Sequence, residues 1–185
     1  DITVTVNAVN DAPVATTGLS GTTNEDQGII INLSGTDVDG DALTFTAGTP
    51  SNGSVTIDGN IVTYSPSQDY NGDDSFTFTV SDGDLSDSAT VTLIIDPVND
   101  APVLAAISDV VFDEDTSTSI SLSALDVDGD ALTFSITGGS DITAILDGSD
   151  ITFNASENFN GSETFTVSVS DGEYIDSQNI VVTVN

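Results

Sequence analysis

The sequence predicts an all-β protein built as two tandem seven-stranded Greek-key sandwiches, and three observations predict it. Apolar residues alternate with period two in short runs rich in Thr and Val, and no window carries the 3.6-residue spacing of an amphipathic helix. Clusters of Gly, Asn and Asp, residues that favour turns, separate the runs. The whole pattern also occurs twice. Val9-Asn10-Asp11-Ala12-Pro13-Val14 returns as Val98-Asn99-Asp100-Ala101-Pro102-Val103, a displacement of 98 − 9 = 89 residues.

Taken in order, the strands of the first copy are expected at residues 13–17, 29–33, 43–46, 54–57, 61–64, 75–80 and 89–95. The sixth is the clearest: Phe76, Phe78 and Val80 face one side while Ser75, Thr77 and Thr79 face the other. Ala89, Val91, Leu93 and Ile95 alternate in the same way in the seventh. Seven short strands in about 90 residues are the signature of a sandwich with Greek-key connections. Phe45, Tyr64, Phe76 and Phe78, with Phe134, Phe153 and Phe165 in the second copy, are then core residues rather than a ligand platform. Aligning 8–96 with 97–185 needs no gap and gives 35 identities in 89 positions. The repeats are therefore 8–96 and 97–185. Residues 1–7 match the ends of both and are expected to be the last strand of a preceding repeat, so a longer array is expected.

Composition removes most functions. The 31 acidic residues face no Lys, Arg or His, and there is no Cys. Thiol, imidazole and amine catalysis are unavailable, so an enzyme would have to work with carboxylates alone. The acids repeat with the scaffold and form no unique pair, which argues against a glycosidase. Nucleic acid and anionic membrane surfaces are excluded as partners because binding either rests on cationic side chains. The 37% hydrophobic content distinguishes the chain from a disordered acidic tail. No apolar run is long enough to cross a bilayer.

What the acids can do depends on where alternating strands put them. The loops after the second and sixth strands fall at the same end as the entering chain. In the second repeat that end carries Asn99, Asp100, Asp126, Asp128, Asp130 and Asp171; in the first, Asn10, Asp11, Asp37, Asp39, Asp41 and Asp82. The opposite end of the first repeat carries Glu25 and Asp26, with Asp69, Asp73, Asp74 and the exit residue Asp96. Many carboxylates converging without a cation repel one another, and a hard divalent ion taking six to eight oxygens is the physical remedy. Ca²⁺ between the repeats is the expectation. For Asp37 to Asp41 the alternative is a solvated turn held by its own side-chain hydrogen bonds. Solubilising surface charge is the alternative for Glu25 and Asp171. Asp58, Asp87, Asp147 and Asp150 read as turn formers or general acidity. The Asp-x-Asp-x-Asp spacing begins like an EF-hand loop. Its glycine falls at the fourth position, however, and position twelve is Gly48 or Thr137 instead of Glu, so it is not one.

The linker Asp96-Pro97-Val98-Asn99-Asp100-Ala101-Pro102 resembles the cadherin linker, and Asp126-x-Asp128 resembles the Asp-x-Asp of the next cadherin domain. With Asp-x-Asp-Gly-Asp-x-Leu-Thr-Phe, Asn-Gly and Val-Ser-Asp-Gly in both copies, the chain is similar from end to end to the cadherin-like, Ig-like tandem repeats of giant bacterial surface proteins. The resemblance implies Ca²⁺-stiffened extender repeats of a secreted cell-surface adhesin, with neighbouring repeats as the first partners and homophilic or polysaccharide contacts as further ones. A carbohydrate-binding or cell-adhesive module acting through Ca²⁺ is the alternative. Asp96 departs from the pattern, since its counterparts are Asn7 and Asn185. The acidic motif before the sixth strand is matched only loosely, by Asp73-Asp74 and Ser162-Glu163.

Overall fold

The computed structural model describes all 185 residues, which form eighteen strands and no helix. The chain divides into two compact units, Asp1–Val98 and Asn99–Asn185.

In the first unit the strands are β1 (Val14–Ala15), β2 (Ser20–Asn24), β3 (Ile29–Asn32), β4 (Gly35–Thr36), β5 (Thr44–Ala47), β6 (Gly53–Asp58), β7 (Ile61–Pro66), β8 (Gly72–Ser81) and β9 (Ser86–Asp96). One sheet has the order β2-β9-β8-β5; facing it are β3-β7-β6 and the short pair β1-β4. The second unit repeats this with β10 (Val103–Leu104), β11 (Val110–Phe112), β12 (Ser117–Ser121), β13 (Ala124–Leu125), β14 (Thr133–Gly138), β15 (Ile142–Asp147), β16 (Asp150–Ala155), β17 (Gly161–Ser170) and β18 (Ile175–Val184). Its sheets are β11-β18-β17-β14, β12-β16-β15 and β10-β13.

Each unit closes on its own apolar core, as alternation predicts. Phe76, Phe78 and Val80 on β8 and Val91, Leu93 and Ile95 on β9 are buried, facing Val62 and Tyr64 on β7. In the second unit Phe165, Val167 and Val169 on β17 and Ile180, Val182 and Val184 on β18 face Ile151 and Phe153 on β16. Phe153 and Phe165 meet edge to face with ring centroids 5.3 Å apart, an arrangement favoured by the aromatic quadrupole. Phe45 and Phe134, expected in the core, are half-buried at its margin.

Two features differ from the sequence expectation. The first strand is split: β1 pairs antiparallel with β4, and the chain then crosses so that β2 pairs in parallel with β9, from Ser20↔Thr92 to Asn24↔Asp96. Ser20-Gly21-Thr22-Thr23-Asn24 has no apolar alternation, so periodicity cannot reveal a strand held by its neighbour's backbone. The second expected strand is found as β3, and the short β4 beyond it was not expected. Residues 2–6, expected to be the last strand of a preceding repeat, pair with no strand of this chain. Ile2, Val4 and Val6 are exposed.

Asp74, grouped by its sequence with the acids of the far end, and Glu163, loosely matched to an acidic motif, instead hold the loop between the sheets. Asp74 accepts from the backbone N–H of Ser51 and Asn52 and from the Tyr64 hydroxyl, at 2.9–3.2 Å. Burial opposes the charged form, but the Ser75 N–H, at 2.8 Å, and these donors outweigh it and keep the Asp74 carboxyl below its usual range. Burial, with Asp74 beside it, pushes the Tyr64 phenol upward. Glu163 lies 163 − 74 = 89 residues on and does the same work. It accepts from the Ser140 hydroxyl and from the N–H of Ser140, Asp141 and Ile142. The Ser140 hydroxyl, followed by those backbone donors, pulls the Glu163 carboxyl down to about 2.

A depressed carboxyl stabilises the fold in its ionised form, so its contribution is complete above the ordinary value of 4.5 and is lost as pH falls to about 2. Glu163→Gln is expected to destabilise the second unit at neutral pH by about 2 kcal/mol, the scale for hydrogen bonds to a charged group. That is roughly 10 °C in its melting temperature. Thermal melts of parent and variant should converge between pH 4.5 and 2. A gap unchanged across that range would show that the ionised carboxylate is not what holds the loop.

Candidate metal centre

The acidic end of each unit is assembled from three segments. In the loop between β13 and β14, Asp126 turns its side chain back on its own backbone, and Oδ1 accepts the N–H of Asp128 at 3.0 Å and of Asp130 at 3.3 Å. In the first unit Asp37 Oδ1 accepts from Asp39, Gly40 and Asp41 at 2.8–3.3 Å. The linker then docks on this loop: Asp100 N–H donates to Asp128 Oδ2 at 2.7 Å, and Asp11 N–H to Asp39 Oδ2 at 2.8 Å. The hairpin between β17 and β18 supplies the third segment. Asp171 Oδ2 accepts from Asn99 Nδ2 at 2.9 Å, while its Oδ1 takes the N–H of Glu173 and Tyr174, both at 2.6 Å. Asp82 receives Asn10 at 3.0 Å and the N–H of Asp84 and Leu85.

All twelve residues expected at this end are therefore brought together, six in each unit. Backbone and asparagine donors hold Asp82 and Asp171 below the usual carboxylate range. For Asp82 the Leu85 N–H is the largest influence; for Asp171, donors led by the Tyr174 N–H outweigh partial burial. With its amide nitrogen committed to Asp171, Asn99 is left with its amide oxygen to offer an ion.

One carboxylate oxygen from each of Asp37, Asp39 and Asp41 lies within 4.8 Å of the others, and the same holds for Asp126, Asp128 and Asp130. Asp37 Oδ2 and Asp126 Oδ2 are buried with no hydrogen-bond partner. Asp126 as a whole is only 8% exposed. A carboxylate oxygen withdrawn from water with no donor is costly, and a cation beside it would offset that cost. The donor set is all oxygen, as Ca²⁺ requires, and the residues fit that ion.

At the other end of the first unit, Glu25 is buried; its Oε1 accepts the Val98 N–H at 2.5 Å, and its own N–H donates to the Asp96 carbonyl at 2.9 Å. Asp26 adopts φ 58° and accepts the Asp69 N–H at 3.2 Å. The left-handed backbone is tolerated because Asp and Asn satisfy themselves locally. It recurs at Asp115, 115 − 26 = 89 residues on.

Asp87 is not the turn former that its sequence suggests. It lies on β9, and its Oδ2 accepts the Ala15 N–H at 2.9 Å, tying the first strand to the last and keeping the carboxyl low. Asp176 does the same for Leu104. The signal was present in the recurrence of Asp87 at 176, but recurrence alone does not say what an acid holds.

The model of the bacterial Ig domain matches residues 10–94 and again residues 99–183. This chain belongs to the bacterial Ig domain family. Its two bacterial Ig domains have the cadherin-like fold that their motifs predict. They resemble Drosophila N-cadherin EC1-4, with 20% identity and a TM-score of 0.65 over 95% of this chain and 49% of that one. Human protocadherin-24 EC1-2 matches with 18% identity and a TM-score of 0.60, over 95% of this chain and 100% of that one. Chitinase A of Pseudoalteromonas piscicida is 31% identical over 132 residues, 68% of this chain and 16% of that protein. No helix is long and apolar enough to cross a membrane.

Proposed function

We propose that these bacterial Ig domains are non-catalytic extender repeats of a large secreted or cell-surface bacterial protein, an adhesin in the first instance, and that Ca²⁺ at the junctions stiffens them. The observation that carries this reading is the acidic end of each repeat. Six Asp and Asn side chains from three segments converge there twice, 89 residues apart, around a buried oxygen that lacks a donor. Nothing on the chain can neutralise it, because there is no Lys, Arg or His. When bound, Ca²⁺ supplies that missing positive charge. In this reading Glu25, Asp26 and Asp96 of the first repeat share ions with Asn99, Asp100, Asp126, Asp128 and Asp171 of the second. Asn10, Asp11, Asp37, Asp39 and Asp82 belong to the junction with a preceding repeat, whose last strand residues 1–7 would be. With one half of its ligands missing here, that junction binds more weakly.

Extracellular modules bind Ca²⁺ with dissociation constants on the order of 0.1–1 mM, matched to extracellular supply. At 10 mM Ca²⁺ each such ion stabilises the folded state by about 2 kcal/mol. Small-angle scattering with calcium and with chelator tests the reading, on the parent and on Asp126→Ala with Asp128→Ala. The parent should become more flexible on chelation, with repulsion screened beyond about 10 Å in 0.1 M salt. The double variant should resemble the chelated parent in both conditions. If the parent keeps one maximum dimension throughout, the stiffening mechanism is wrong.

The match to part of a chitinase favours a second setting for the same module, as an accessory spacer in a secreted polysaccharide hydrolase. A carbohydrate-contacting role there would show as calcium-dependent retention of the chain on chitin. A pure spacer passes through.

A further inference from the structure

We propose that the third aspartate of each loop, Asp130 and Asp41, completes a divalent-cation site contained within a single repeat, apart from any ion shared across the junction. The Asp-x-Asp pattern that resembles cadherin ends at Asp128, so Asp130 lies outside it. The structure nevertheless places an oxygen of Asp130 within 4.8 Å of oxygens from both Asp126 and Asp128. Oxygens on opposite sides of an ion bound at about 2.4 Å are themselves about 4.8 Å apart, so three oxygens this close fit round one Ca²⁺.

The independent sign is Asp126. Its Oδ1 is consumed by the loop N–H groups, its Oδ2 is buried without a donor, and the residue is 8% exposed. A turn held only by its own hydrogen bonds explains Oδ1 and leaves Oδ2 unexplained. Because the ligands come from five consecutive residues, the site does not need a neighbouring repeat. Asp128 and Asp130 are exposed, so water completes the ion's shell. Asp37, Asp39 and Asp41 reproduce the arrangement, including the buried, unpartnered Oδ2 of Asp37. The first repeat therefore holds its loop ion in this chain even where a junction is incomplete.

The inference shares calcium with the proposed function but not the hinge, and the test separates them. Calcium is titrated by calorimetry into the full 185-residue chain as parent, Asp130→Asn, Asp41→Asn, Glu25→Gln and Glu25→Gln with Asp130→Asn. Asp147→Asn, at the β15–β16 turn and outside the acidic groups, controls for the change in net charge. Circular dichroism in chelator confirms that each variant is folded.

Asp130→Asn should remove one ion or weaken it at least tenfold, Asp41→Asn should remove another, and Asp147→Asn should bind as the parent does. The losses from Glu25→Gln and Asp130→Asn should add. Unchanged binding by Asp130→Asn overturns the inference. So does loss of one and the same ion in Glu25→Gln, Asp130→Asn and their combination. If Glu25→Gln loses nothing while Asp130→Asn loses an ion, the loop site stands and the shared junction ion fails.

Discussion

Phe165→Ala is expected to cost the second repeat about 4 kcal/mol and to leave the first repeat untouched. The ring is fully buried on β17 against Phe153, and its removal loses both transfer free energy and the contacts lining the cavity left behind. In a unit of this size the loss lowers the melting temperature by roughly 20 °C. Each repeat closes a separate core, so calorimetry in chelator should show the transition of Asn99–Asn185 moving down while that of Asp1–Val98 stays in place. Both transitions moving together would contradict two self-contained cores.

Gly139→Ala is expected to be the next most damaging change, at about 3 kcal/mol. Gly139 has φ 76°, and a Cβ built there would lie 2.3 Å from the Ile142 carbonyl oxygen and 2.5 Å from the Phe165 ring. The carbonyl belongs to the β15 backbone beside β16, and the ring sits in the core, so neither can yield without disturbing packing. Gly148→Ala separates the two costs. That glycine also has positive φ, 61°, but faces open space, so only the backbone penalty of about 1 kcal/mol remains. Equal melting temperatures for the two variants would show that the loop beside Phe165 moves freely to accept a side chain.

The repeat, the all-β class and the inward faces of β8 and β9 were legible because each is written in residue type at period two. Burial of Phe76, Phe78, Val91 and Leu93 follows from that alternation alone. The acidic ends were legible for a different reason. Strand alternation sends the loops holding Asp126 and Asp171 to one side, and Asn99 and Asp100 enter there. The strand β2 was not legible. Its residues are small and polar, and what makes them a strand is the β9 backbone some 72 positions away, from Ser20↔Thr92 onward. The role of Glu163 was hidden as well: a Ser-Glu pair before a strand gives only a loose match to an acidic motif until the loop at Ser140 is folded onto it.

The parallel pairing of β2 with β9 has a mechanical consequence. The segment leading into the first repeat and the segment leading out lie side by side and run the same way, with five paired positions from Ser20↔Thr92 to Asn24↔Asp96. Tension applied to the two ends of the repeat pulls β2 from its Ser20 end and β9 from its Asp96 end, which are opposite ends of the ladder. The strands are thus sheared along their length, and the rungs must yield together instead of opening one at a time as in a peeled hairpin. In the second repeat β11 and β18 make the same parallel pair with three positions, Val110↔Val182 to Phe112↔Val184. Under a rising pull the shorter ladder gives way first, and the first repeat holds longer.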